Sequence, residues 1–504
     1  MPALETASPV VYLLAGIPLL LLLRSLFSKH SLHYIPTVGG TDLPLLSYVG
    51  AFKFVHNTRA LLQEGYDKYK GGMFKFPTPE RWIVVVTGSK LIDELLKFPD
   101  DQVSFIEAAG EIVGFKYIFG ESLLENPYHV GIIRNQLTRH LVDAFADIQD
   151  EIAASFSEHM PMPADGGWVS VPALSMMRHI VVRVSNRVFV GLPYCRNEEY
   201  LKVAINVTMD IGEGRKFIPL VPVFLKTMVA RYFANIDRRV DACEKYLHDL
   251  LHARLQDMER FGNDWPDKPN DMLQWLIDEE KKNEVFDIRN LLRMVLLVNF
   301  AAIHTSANSF THALYHLAAN PEFMGPLRQE VEAILQAEGW TKAAMGKMRR
   351  LDSFMRESQR MNGINGTSVL RLSVKDIEFS NGTYIPANTL MVAAATATHL
   401  DEDNYENPEV FDPWRFSDMR EEEGGALKHQ FVSTALDYVP FGHGKHACPG
   451  RFFAANELKA MMAHVVLNYD VKFEQEGVRP PNKWYGLSLG PDPTAKVLFR
   501  KRQN

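Results

Sequence analysis

Residues 441–450 read FGHGKHACPG. A single cysteine, Cys448, stands among glycines with His443 and His446 close by. RFFAANELKAMMAHVV (451–466) follows as an apolar, helix-like run. The chain holds three cysteines, Cys195, Cys243 and Cys448, far apart and odd in number. That count implies no disulfide framework, and the absence of a CxxC pair removes the usual zinc site. Whatever Cys448 does, it does without a second cysteine.

A lone thiolate suffices for one job, the axial ligation of a haem iron. Such a ligand gains from backbone amides on a glycine-bearing loop, here Gly442, Gly444 and Gly450. It gains again at a helix start, where the dipole favours negative charge. The competing use of a lone cysteine is as a small buried hydrophobe.

The rest of the chain must supply a fold around this loop. With 504 residues, 46% of them hydrophobic, there is ample material for a large core. The formal net charge of −7 offers no basic balance for nucleic acid. Residues 9–23, PVVYLLAGIPLLLLL, precede Arg24 and Lys29. This pattern reads as a membrane anchor over 1–28 with the following domain in the cytosol. A cleaved signal would want a basic start, and only Glu5 is there. A Pro- and Gly-bearing linker, 29–40, leads into a catalytic region over 41–504.

FKF (74–76) and WIVVV (82–86) flank PTPER and predict a hairpin. From about 89 to 360 helical periodicity dominates. SKLIDELLKF opens on a serine cap candidate, and residues 286–318 are apolar on nearly every face of a long central helix. The charged stretch 261–285 reads as a loop. Beyond 363, TSVLRLSV, IEFSNGTYI and TLMVAAAT read as short strands, with Asn381-Gly382 as a turn. A last helix covers roughly 449–467. The fold class is mainly α with a minor β part (α+β).

The cysteine loop resembles the haem-binding signature F-x-x-G-x-[H/R]-x-C-x-G of the cytochrome P450 family, complete here as Phe441, Gly444, His446, Cys448 and Gly450. Three further elements fit that resemblance. ESQR (357–360) is similar to the family's Glu-x-x-Arg, and DPWRF (412–416) to its P-x-R-F-like element, so Glu357, Arg360 and Arg415 are expected to form a buried network that holds the loop. AAIHT (301–305) is similar to the [A/G]-G-x-[D/E]-T of the oxygen-side helix. Ala301 and Thr305 are retained, but Ala302 stands for the usual glycine and His304 for the usual acid. Haem propionates need cationic partners. The resemblance implies His446, Arg371 and Arg134, with His129 in YHVGIIRNQLTRHL where the family usually has tryptophan, as in fungal microsomal members. Thr305, Glu357, Arg415 and Cys448 follow one another at intervals of 52, 58 and 33 residues, in the family's order.

The resemblance implies a single large P450-like domain holding haem b (iron protoporphyrin IX) with an axial thiolate from Cys448. It implies a monooxygenase that places one atom of O2 in a lipophilic small molecule, a terpenoid or other secondary metabolite. Thr305 and His304 would serve proton delivery, the histidine titrating near its ordinary pKa of about 6.5. No G-x-G-x-x-G follows a strand, so electrons are expected from an NADPH–cytochrome P450 reductase, with cytochrome b5 as a further partner. Docking would use Lys445, Arg451, Lys347, Arg349 and Arg350. The implied location is the endoplasmic reticulum membrane, single-pass. Two rivals remain: the same fold performing isomerisation, desaturation or ring formation, and a non-enzymatic haem- or sterol-binding membrane protein.

Overall fold

The computed structural model of the protein describes residues 32–43, 46–421 and 427–503. The expected anchor, 1–28, lies outside them. Backbone contacts divide the catalytic region into two compact units.

One unit gathers residues up to 108 with 366–398 and 484–487. Its centre is a five-stranded sheet in the order Met73–Pro77, Trp82–Val86, Leu390–Ala393, Ser368–Ser373, Val103–Ser104. The expected hairpin is present, Phe76 facing Ile83 across it. Trp82–Val86 then pairs in parallel with Leu390–Ala393. Both faces of this parallel pair are covered, and Val84, Val85, Val86 and Ala393 are wholly buried. Ser89 begins its helix without capping it. Gly88 holds the cap position and no side chain bonds the free amides.

The other unit spans 109–365, 399–483 and 488–504 and is mostly helical. Its core is threaded by the central helix Ile288–Ala319, started by Asp287, whose side chain accepts from the Arg289 amide, and ended at Asn320-Pro321. This helix is long and apolar enough to cross a membrane, but most of it is buried in protein, as befits a core helix. It packs against Ala173–Phe189, Glu198–Phe217 and Arg451–Asn468. Deep in its core Asn186 donates to Asn299 at 2.7 Å and Tyr200 to Asn186 at 2.9 Å. The stretch 261–285, read as a loop, contains the helix Met272–Glu280. Asp271 caps it, accepting from the Gln274 amide at 2.9 Å, and the charges in the sequence masked that signal. An antiparallel sheet of Val169–Pro172, Lys496–Lys501 and Tyr469–Lys472 closes this unit.

Candidate active site

The cysteine loop is closed by its own backbone. The Cys448 amide donates to the Phe441 carbonyl at 2.7 Å. Between them Gly442 and Gly444 adopt φ of 68° and 71°, a left-handed conformation that any side chain would strain. Gly450 is different. Its φ is −85°, so it needs no glycine freedom, and it serves as the N-cap of Arg451–Asn468. The amides of Gly450 and Arg451 favour the Cys448 thiolate, as a helix start should. Burial nevertheless outweighs them and pushes the free thiol up. A metal that binds the sulphur removes that proton.

Cys448 lines a cavity of about 390 Å³. Phe441 and Gly450 flank it from the loop, while Ala301, Ala302 and Thr305 contribute from the central helix. From Phe310 to Ala319 every residue of that helix is buried, yet burial lapses in mid-helix at Phe300–Ala302 and at His304–Thr305. A helix threaded through a core loses burial only where there is an internal space to face. The walls are chiefly aliphatic and aromatic, with one thiol. That lining fits a flat apolar macrocycle held by sulphur and fits no hydrated metal ion. Among the described residues no group of three or more His, Cys, Asp and Glu is placed to hold a metal.

The expected propionate partners fall in both units. Ile133 and Leu137 line the cavity, and His129 and Arg134 belong to the same helical segment. The His129 Nδ1 atom is buried without a hydrogen-bond partner, and burial lowers its pKa to about 4. An orphaned buried donor of this kind fits an added carboxylate. Arg134 donates to the Lys445 carbonyl at 3.3 Å, which ties this segment to the cysteine loop. Arg371, in the first unit, is buried with its guanidinium 5.8 Å from the Phe105 ring centre, and burial lowers its pKa to about 10. It too carries a charge that little around it neutralises.

Glu357, Arg360 and Arg415 meet as a network. Arg360 clamps both oxygens of Glu357, each at 2.7 Å, on two side chains with no exposed surface. Arg415 Nε reaches Glu357 Oε1 at 3.2 Å and donates through Nη1 to the Glu406 carbonyl at 2.6 Å. The buried carboxylate is thus bidentate to one guanidinium and shared with another, the geometry that offsets its desolvation.

Thr305 donates its hydroxyl to the Ala301 carbonyl at 2.7 Å, one turn back. Its neighbour His304 departs from expectation. Desolvation by the surrounding protein, then the charges of Arg178 and Arg215, lower its pKa to about 4. The ring is therefore neutral at pH 6–8 and does not titrate in that range.

Sequence reasoning missed several residues here. His399 accepts from the Val439 amide at 3.1 Å, and its own carbonyl accepts from Arg360. Tyr438 donates to Gln359 at 2.8 Å and lies under the Arg356 guanidinium at 3.5 Å. Glu457, nearly two turns into the last helix, is fully buried, accepts from Ser185 at 2.7 Å and has its pKa raised to about 8 by burial. Polar Glu457 sits in an apolar run, a signal available in the sequence. Nothing local marks His399.

Comparison with known proteins agrees with this geometry. A sequence model of the cytochrome P450 family matches residues 39–499. "Cytochrome P450 monooxygenase 103" of Postia placenta is 48% identical over 98% of this chain and 99% of its own length. "Cytochrome P450 monooxygenase 151" of the same fungus is 47% identical over 98% and 99%. "Cytochrome P450 monooxygenase CYP512U6" of Ganoderma lucidum is 36% identical over 93% and 92%. The chain belongs to the cytochrome P450 family. It is a haem-thiolate monooxygenase whose cofactor is haem b, with Cys448 as the thiolate. The bound haem supplies oxygen activation.

Proposed function

We propose that this monooxygenase oxidises a lipophilic small molecule, a terpenoid or related secondary metabolite, with electrons from an NADPH-dependent reductase. The observation that carries this reading is the apolar cavity shared by Cys448 and the mid-helix gap at Ala301, Ala302 and Thr305. Small residues at 301 and 302 leave room on the central helix, and Val298, Phe300 and Ile364 extend an apolar wall for the substrate.

In this reading the Thr305 hydroxyl holds and passes protons on the oxygen side. It must let go of the Ala301 carbonyl to do so. His129, Arg134 and His446 hold the propionates. Glu357, Arg360 and Arg415 fix the loop that carries Cys448. Lys445 and Arg349 are exposed and suit an acidic redox partner.

Membrane association in the endoplasmic reticulum is supported by residues 9–23 and by an apolar patch. Val223, Phe224, Met228 and Tyr232 are each 61–81% exposed on one helix, an uncommon cluster for a surface bathed in water. Product analysis in a reductase-containing host supplied with terpenoid precursors tests the reading. New oxygenated products that vanish with Cys448→Ala support it. Products without added oxygen favour the isomerising or ring-forming alternative.

A further inference from the structure

Ile364 lines the cavity but belongs to no helix or strand. It stands in the turn that follows the helix Arg349–Met361, so its place in the wall is set by whatever holds that turn. On one side the Leu489 amide donates to the Ile364 carbonyl at 2.9 Å, and Asn365 pairs with Ser488. On the other side stands Asn362, which ends the helix with its amide on the Ser358 carbonyl at 2.9 Å. Only Gly363 separates Asn362 from Ile364. Glycine resists few conformations, so the turn keeps its shape only while both ends are held.

The Asn362 side chain is held by the central helix. His316, in the last turn of that helix, brings Nε2 to 2.6 Å from Asn362 Oδ1. A carboxamide oxygen only accepts, so Nε2 carries the proton and donates. Both residues are buried, where an unmade hydrogen bond is costly. The His316 ring also lies flat on Phe411, with centroids 3.8 Å apart and planes at 10°. That stack fixes the direction of the N–H. His316 itself does not line the cavity. It stands well beyond Thr305 on the helix, about 16 Å along the axis at about 1.5 Å per residue. Whatever it does to the cavity, it does through Asn362.

We propose that His316 is a positioning residue for substrate choice: through Asn362 it fixes Ile364 in the cavity wall and so sets the breadth of lipophilic molecule admitted. The proposal rests on the reading of the cavity as a substrate chamber. A packing role alone would need only the flat ring of His316, so the test separates ring from donor.

The probes are imidazole and N-dodecylimidazole. Both bind the ferric haem iron of the holoenzyme and shift its Soret band, but only the second carries an apolar tail to the wall. The readout is the ratio of their dissociation constants. His316→Phe keeps a ring for Phe411 and removes the donor. It should change the ratio at least about fivefold, the scale on which an apolar pocket feels one methylene, with imidazole affinity unchanged. Asn362→Leu, which removes the acceptor, should do the same, and it decides the matter if His316→Phe does not hold haem. His316→Gln, which keeps an N–H donor, should stay within about twofold of the parent. Ile364→Ala should also change the ratio, and combined with His316→Phe the two changes should fall well short of adding. A parental ratio in His316→Phe or Asn362→Leu, additive changes, or an equal effect in His316→Gln overturns the proposal. Loss of haem from both His316→Phe and Asn362→Leu also overturns it, since the pair then serves stability. If the dodecyl tail adds no affinity in the parent, or Ile364→Ala changes nothing, the chamber reading itself fails and the proposal falls with it.

Discussion

The amide of Val439 donates to His399 Nε2 at 3.1 Å, and the carbonyl of the same histidine accepts from Arg360. His399 therefore joins the Glu357 network to the residue two positions before Phe441, where the cysteine loop begins. It accepts at Nε2 only as the neutral ring, which full burial enforces by lowering its pKa to about 3.

Glu357→Ala leaves Arg360 buried without its partner. The expected loss is about 3–5 kcal/mol, enough to unfold many domains. His399→Phe should keep the packing, remove the acceptor for Val439 and lower haem retention by a smaller amount. Haem content per protein after gel filtration checks both.

Acid sensitivity follows from His399 and His316, each buried with a pKa of about 3. Their folded pKa values are depressed, so the stability they permit is complete above the unfolded value of about 6.5 and falls as pH drops toward the folded value. Each contributes a loss of about 1.4 kcal/mol per pH unit in that window. Thermal melting of the holoenzyme at pH 7, 6 and 5 should show a steepening fall. A flat profile contradicts the neutral-histidine account.

Glu457 works in the opposite direction. Its folded pKa is raised to about 8, so the parent should lose stability as pH rises from about 4.5 to 8. Glu457→Gln keeps an acceptor for Ser185 and should remove that component. Comparing the melting temperatures of the two proteins at pH 6 and pH 8 isolates it.

Thr305→Ala should retain haem yet divert NADPH electrons to peroxide, read as the ratio of product to NADPH consumed with peroxide assayed in parallel. Since His304 stays neutral with a pKa near 4, its replacement by alanine should leave the shape of the pH profile between 6 and 8 unchanged. A profile flattened by His304→Ala would restore the histidine to the proton path.

Much of this was legible because it is local. The loop around Cys448 and the hairpin of FKF and WIVVV declare themselves through glycine spacing and β-branched runs. The Glu357–Arg360 pair lies one helical turn apart, so its geometry follows from the spacing alone. What stayed hidden depends on burial, which a single sequence does not carry. His304 looks like any titrating histidine until the desolvation around it and the charges of Arg178 and Arg215 are known. His399 gains its role from contacts with Arg360 and Val439, about 40 positions away on either side. The helix Met272–Glu280 was lost to its charges for a similar reason, since its apolar side is recognised only against the core it covers.

The central claim is that Cys448 is the thiolate ligand of haem. Reduction of the purified holoenzyme under carbon monoxide tests it most directly. The parent should give a Soret band shifted strongly to the red, as thiolate ligation requires, and Cys448→Ser should lose that band although protein is still produced. A normal red-shifted band in Cys448→Ser, or a parent band at the position of a histidine-ligated haem, would contradict the account.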